Sequence, residues 1–507
     1  MNICKISLLG LVVLLVVACS PSPSNVVEVK EAAPIYPDYT DVTIPQNIAP
    51  LNFLVRGNGS NAEGQVTGVV VSVNGEEMAA SNDGKVQFDL DDWHELLNTN
   101  AGKRLTVSVT AEVDGQWRHY QDFHWDVTND TIDPILTYRL IEPDYEVWNH
   151  LQIQQRDITC FETKQLGDHH VLENRCMNCH ITGNQNPQLS MMYVRGKGGG
   201  AILNVNGHLR KLDLKAKNAT DSMISSSVYY SFSPTGRYLT FSTNIIIPAF
   251  HSQALKRLEV YDTKSDVYVA DLKENIIYQS PLLADATQLE TFPTFSPDGR
   301  YIYYCVADRR GLYGSDLTGL QYALVRIPFD EKSGRLGTKV DTLIAARPYE
   351  PGLKRSICHP KISPDGRFIV YTVVAYGTFP IWHPEADLQM MDLRPGKTFG
   401  QINNSLAIVN SQKSDTYHSW SSNSRWLVFA SKRDDGLYGK PYFTYIDRQG
   451  RAHKPFVLPQ EDPTFYDNCL KSFNVPELCR GSLPFNAIDV EQAMKKNAEP
   501  FTLQQAR

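Results

Sequence analysis

The sequence predicts an all-β protein, and two observations carry that prediction. From Ile48 to about Val127, short runs of alternating apolar and polar residues recur around the dipeptides Asn74-Gly75 and Asp114-Gly115, the chemistry of antiparallel hairpins. Beyond about Ala201, one ten-residue unit is repeated four times, and each copy reads strand, tight turn, strand. Composition bounds the rest: 507 residues, net charge −7, 42% hydrophobic and 10% aromatic describe a mildly acidic globular chain with core for two or three domains. Such a charge balance argues against a nucleic-acid partner.

The N-terminus addresses the chain to the outside of the cytoplasm. Residues 1–19 hold one basic residue, Lys5, and then an apolar run from Ile6 to Ala18, long enough for a secretory signal and short for a membrane span. Val16-Val17-Ala18-Cys19 resembles the lipobox of bacterial lipoproteins, which implies cleavage before Cys19 and its lipidation. An uncleaved signal anchor is the alternative. Either way the remainder is extracytoplasmic, and acyl chains on Cys19 would tether it without spanning. Ser20 in place of Asp implies, by the same resemblance, the periplasmic side of the outer membrane. Residues 20–45, rich in Pro, Ser, Val and Glu, read as a tether.

Residues 46–130 follow as a β-sandwich. Gly68–Val73, Val86–Leu90, Leu105–Val113 and Trp117–Val127 are the expected strands, and about 85 residues of this pattern suit an immunoglobulin- or fibronectin-like domain. No catalytic set clusters within it.

The chemistry is concentrated in residues 131–200, expected as irregular segments and short helices. Cys176-Met177-Asn178-Cys179-His180 spells Cys-x-x-Cys-His, the attachment signature of one covalent c-type haem. Two thiols one helical turn apart would reach the two vinyl groups, and His180 would lie under the iron. Alternatives are a Cys176–Cys179 redox pair beside an incidental histidine, or a zinc site lacking its second cysteine pair. About 70 residues are too few for an independent cytochrome fold, so the haem segment should pack against a neighbouring domain. Of the other cysteines, Cys469 and Cys479 are close enough for a local disulfide, with free buried thiols the equal alternative.

The repeat then decides the fold of residues 201–462. Tyr230–Leu239, Pro293–Ile302, Pro360–Ile369 and His418–Leu427 are copies of one unit; their serines, Ser233, Ser296, Ser363 and Ser421, lie 63, 67 and 58 residues apart. Pro-Asp-Gly supplies the turn, with proline presetting φ and glycine accepting a positive one. Units of this kind that cannot bury both faces alone stack into a β-propeller, expected here with six blades. The fourth copy replaces Pro-Asp-Gly by Ser422-Asn423-Ser424, a turn of greater backbone cost. Residues 463–507 read as a C-terminal extension.

These copies resemble the blade repeat of TolB-like propellers, Phe-Ser-Pro-Asp-Gly-(Lys/Arg)-x-(Ile/Leu). The order of sandwich, CxxCH segment with the following Met191-Met192-Tyr193-Val194-Arg195-Gly196, then blades ending in Lys454–Gln460 and Ser472–Glu477, is similar to a family of bacterial lipoproteins described as TolB-like propeller proteins with a cytochrome motif. The resemblance spans nearly the whole mature chain and implies no defined reaction.

For the sixth iron position, Met191 and Met192 lie nearest in sequence, and a thioether there would raise the potential; His169 or His170 would lower it. Packing is the alternative for the methionines, and solvent exposure for the histidine pair. Arg195 suits a haem propionate. His359 and His418 hold nearly matching places in the repeat and are candidate ligands at the channel mouth, or strand-capping histidines. Arg309-Arg310 and Lys432-Arg433 read as a basic rim or as solvated loop charge.

The expected function is a membrane-anchored, extracytoplasmic monohaem cytochrome whose propeller docks redox partners. The alternative is a non-redox binding protein of the cell envelope. A hydrolase is disfavoured because no Gly-x-Ser-x-Gly elbow is present.

Overall fold

A computed structural model describes residues 21–506 apart from 57–64, 143–149, 171, 218–222, 254, 315 and 395–403. The expected signal segment and the lipidation site Cys19 lie outside the described residues. Among the described residues no helix is long and apolar enough to cross a membrane.

The N-terminal domain begins earlier than the sequence suggested. Residues 27–45, expected as a tether, are partly built into the fold: Val27–Ala32 pairs in parallel with Gln116–Gln121, and Val42–Pro45 with Phe123–Thr128. The physical reason is the apolar content of Val42-Thr43-Ile44-Pro45, buried throughout. A seven-stranded sheet centred on Arg104–Val113 and a three-stranded sheet of Ile35–Tyr36, Phe53–Val55 and Lys85–Val86 make up the domain. Asn74-Gly75 and Asp114-Gly115 turn with positive φ at both residues, as expected of such hairpins. One element was missed: Leu90–Thr99 is a helix, capped by Asp89, whose carboxylate accepts from the amides of Asp91 and Asp92. It delivers Trp93 against Trp125, ring centroids 5.3 Å apart, and both indoles donate to backbone carbonyls.

The segment expected to be irregular, residues 131–200, is instead strand. Among the described residues, largely antiparallel sheets follow one another around a ring, and their innermost strands are Ser472–Cys479, Met177–Gly183, Ser227–Phe232, Gln288–Phe295, Ser356–Ile362 and Asp415–Trp420. Each packs against the next and the last against the first, the closed arrangement of a β-propeller. The ring therefore takes in two sheets that begin before residue 201. Its closure also uses the C-terminal extension, because Ser472–Cys479 pairs with Ile135–Ile141 and completes the first sheet. Glu499–Pro500 and Thr502–Gln505 then add to the outer edges of the second and third sheets.

Within the repeat, one serine does the same work in every copy. The hydroxyls of Ser233, Ser296, Ser363 and Ser421 accept from the amides of Tyr238, Tyr301, Phe368 and Trp426 at 3.1, 3.0, 2.9 and 3.0 Å. They join the two strands across a turn whose third residue has positive φ: Gly236, Gly299, Gly366 and, in the fourth copy, Ser424 at 61°. The departure in that copy has a partner. The Ser422 amide and hydroxyl donate to the Asp133 carboxylate, and Asn423 donates to the Thr131 carbonyl, so this turn holds the linker from the N-terminal domain.

Cys469 and Cys479 are free thiols, one half-buried and one buried, and no disulfide joins them.

Candidate functional site

A cavity of about 310 Å³ opens where the inner strands converge. Its lining follows from one irregularity repeated around the ring. Pairing slips between Asn178 and Ile181, Val228 and Ser231, Thr291 and Thr294, Cys358 and Lys361, and Thr416 and His418, and again opposite Asn474 and Glu477. At five of these bulges the first extra residue has positive φ: Tyr229 at 55°, Phe292 at 50°, His359 at 53°, Tyr417 at 46° and Val475 at 50°. Aromatic and β-branched residues rarely adopt that conformation, and a bulge re-aims the strand. All five line the cavity, together with the residues that follow them: Tyr230, Pro293, Pro360, His418 and Pro476.

The Cys-x-x-Cys-His motif supplies the sixth bulge. His180 occupies the place of Tyr230, Pro293, Pro360, His418 and Pro476, and it too lines the cavity. The motif is thus extended rather than helical, because Met177–Gly183 is laddered to Asn186–Val194 through a hairpin with positive φ at Asn184 and Gln185. Sequence reasoning passed over this copy because it lacks Ser-Pro-Asp-Gly. The available signal was Asn184-Gln185, four and five residues after His180, where the other copies turn.

The predicted residues divide into two groups. Cys176, His180, Arg195, His359 and His418 all lie on the cavity wall. Cys179 belongs to the same strand, and its side chain lies outside the described part of the structure. Met191 and Met192 are not brought to the cavity, which corrects their expected place at the iron. Strand alternation sends them to opposite faces of the second sheet, Met191 among Leu203, Phe232 and Leu239, and Met192 among Met177, Val194 and Ile202. His169 and His170 sit at the end of Thr163–Asp168, on the outer strand of the first sheet and off the cavity wall.

The wall combines buried imidazoles with cations. Neither ring nitrogen of His180 makes a well-formed hydrogen bond, and burial, reinforced by the Arg139 guanidinium and opposed by the approach of the Thr137 backbone, pushes its pKa down to about 3. His418 is also held at about 3 by burial; its Nε2 lies 2.9 Å from the Val370 carbonyl while Nδ1 is unpartnered. Burial holds His359 well below the ordinary range, with His418 and Lys361 adding to the effect. All three are therefore neutral at pH 7. Burial pushes the Cys176 thiol up, while Arg139 and Arg195 oppose that rise. Arg195 faces the Asn178 amide at 2.9 and 3.2 Å. Glu477, buried and raised by desolvation, accepts from the Thr182 amide and lies 3.8 Å from Lys361.

Sequence reasoning missed the place of one residue of the cavity wall and of one that adjoins it. Lys432 is buried rather than part of a basic rim, and its Nζ lies 3.3 Å from the centroid of the Trp382 ring with no hydrogen-bond partner. His383, the residue after Trp382, is fully buried between Glu259 at 2.6 Å and Glu385 at 2.7 Å. Burial opposes its charge, but the two carboxylates hold its pKa above the ordinary value.

Haem c, which the motif implies, can be tested against these residues. A buried imidazole without a well-formed hydrogen bond at either nitrogen needs a partner, since an unsatisfied buried polar group costs about 1–3 kcal/mol. The Cys176 thiol shares its cavity, the walls are aromatic and aliphatic, and Arg139, Arg195 and Lys361 can meet carboxylates. On these observations the residues fit the group.

No family model matches the chain, and no curated protein does. Among solved structures it is similar to a putative 6-phosphogluconolactonase from Bacteroides uniformis, at 12% identity over 81% of this chain and 99% of that one, with a TM-score of 0.32. It is also similar to hydrazine synthase from Kuenenia stuttgartiensis, at 11% identity over 66% and 48% of the two chains and a TM-score of 0.35. The propeller domain of the trilobed protease from Pyrococcus furiosus matches at 11% identity over 55% and 71%, TM-score 0.27. Likeness this weak assigns no activity; the propeller rests on the chain's own sheet order.

Proposed function

We propose that the protein is a membrane-anchored, extracytoplasmic monohaem c-type cytochrome that passes single electrons between partner proteins. In this reading the six sheets are six blades, the N-terminal domain is an immunoglobulin- or fibronectin-like sandwich, and lipid on Cys19 holds the molecule to the outer membrane. The observation that carries it is His180, buried on the same cavity wall as Cys176 with no well-formed hydrogen bond at either ring nitrogen and only the Thr137 backbone approaching it.

Bound haem c would supply a one-electron couple at its iron. Cys176 and Cys179 would hold it covalently, His180 would occupy the proximal position, and Arg195 would pair with a propionate. Neutral imidazole is the ligating form, and burial keeps His180 in that form across the physiological range. His359 and His418, which line the same cavity, are further residues that could help hold the group.

Production in a host with haem-maturation machinery tests the reading. A Soret band and a haem-positive band on a denaturing gel are expected, and both should vanish in the double variant Cys176→Ala, Cys179→Ala. Wild-type protein without either signal would sink the proposal and leave the envelope-binding alternative.

A further inference from the structure

Lys432 lies on the cavity wall in a state that the protein alone does not explain. It is 4% exposed, yet its ammonium position has no hydrogen-bond partner and faces the Trp382 ring. Burying a charge without a partner is among the more expensive arrangements in a folded protein. Arg257 lies over the same indole at 5.8 Å, so Trp382 is flanked by two cations. The nearby carboxylates are occupied or distant: Asp434 is paired with Lys440, Glu259 with His383, and Asp435 is beyond ion-pair distance of Lys432. Around this position the lining is apolar, with Leu258, Val260, Phe379 and Ile381.

We propose that this end of the cavity is a binding site for a small apolar carboxylate, whose charged end pairs with Lys432 and whose body lies against Trp382 and the surrounding aliphatic side chains. The site does not depend on haem. An arriving carboxylate supplies the missing acceptor and keeps the proton on Lys432, while the apolar walls exclude fully hydrated inorganic anions. The groups facing Lys432 are Asp435 on its own loop, Arg257 on the long hairpin and the Trp382 ring; none of them accepts a hydrogen bond from it.

Benzoate is a suitable probe, titrated calorimetrically into haem-free protein at pH 8.5 in two buffers of different ionisation heat. The expected result is binding in the range of about 10 µM to 1 mM, with uptake approaching one proton per benzoate. Lys432→Met should weaken binding at least about tenfold and abolish the uptake, whereas Lys432→Arg should retain binding without uptake. Three results would overturn the proposal: no benzoate binding up to about 10 mM, equal affinity in folded Lys432→Met, or binding by the wild type without proton uptake. The last is read on the wild type alone, so it decides even if a variant fails to fold. Because the protein carries no haem in this experiment, its failure says nothing against the cytochrome proposal, and the reverse also holds.

Discussion

Replacing Lys432 by methionine should stabilise the haem-free protein, by an amount that depends on pH. Burial lowers the Lys432 pKa from 10.5 to about 7, with Arg257 adding to the drop and Asp435 opposing it. The unfolded chain therefore binds the proton more tightly than the folded one between about pH 7 and 10.5, and stability rises with pH across that window. At about 1.4 kcal/mol per unit, the withheld stability is about 4–5 kcal/mol at and below pH 7 and falls to about 2 kcal/mol at pH 9. Methionine keeps the aliphatic length and removes the charge; the lost contact with Trp382 takes back about 1–2 kcal/mol. The expected net gain is about 3 kcal/mol at pH 7, narrowing to about 1–2 kcal/mol at pH 9, where the folded amine is already neutral and has no cation–π contact to lose. Urea unfolding of both proteins at pH 6, 7, 8 and 9 measures the difference, in which every other titrating group cancels. A variant less stable than wild type at pH 7, or a gain that does not narrow by pH 9, would refute the reasoning.

Other outcomes follow from particular contacts. Glu290, whose carboxyl burial raises to about 8, binds its proton more tightly folded than unfolded, so it weakens the fold as pH rises from about 4.5 to 8. Glu290→Gln should flatten that decline in thermal melts taken across the same range. Ser363→Ala removes a hydroxyl that donates to Asp365 and accepts from the buried Phe368 amide, and should cost about 1–3 kcal/mol in denaturant unfolding. Ending the chain after Lys471 deletes the inner strand Ser472–Cys479, and limited proteolysis should then cut within Ile135–Ile141, which the full-length protein protects.

The fold was legible where the sequence repeats itself and illegible where the repeat signature is missing. Ser-Pro-Asp-Gly exposed four sheets because the serine hydroxyl and the positive-φ glycine are local requirements of each turn. The first sheet is assembled from Ile135–Ile141 and Ser472–Cys479, more than 300 residues apart in the chain, so no local pattern announces it. The second sheet hid behind its own chemistry: a Cys-x-x-Cys-His run reads as a helix-borne site, and only pairing with Asn186–Val194 shows it to be a strand. Cys176, His180, Arg195, His359 and His418 were named from sequence and share one cavity wall. Met191 and Met192 were named by proximity in sequence, a criterion that fails in a strand, where neighbours face opposite ways. Lys432 was read as surface charge because burial by the long hairpin Tyr238–Gln253 and Lys256–Asp271 is a tertiary fact.

The strand that closes the ring also imposes an order of events on the chain as it folds from its N-terminus. Ser472, Asn474, Val475, Pro476 and Glu477 form one side of the cavity that holds Cys176 and His180, so that side arrives almost 300 residues after the motif. Until it does, the motif strand faces an open gap one strand wide, because Ile135–Ile141 lacks its inner partner. A bulky group joined covalently to the motif is most easily admitted in that interval, and the arriving strand then seals it in. Release afterwards would require the C-terminal segment to peel away, so the final residues of the chain act as a latch on whatever the cavity contains.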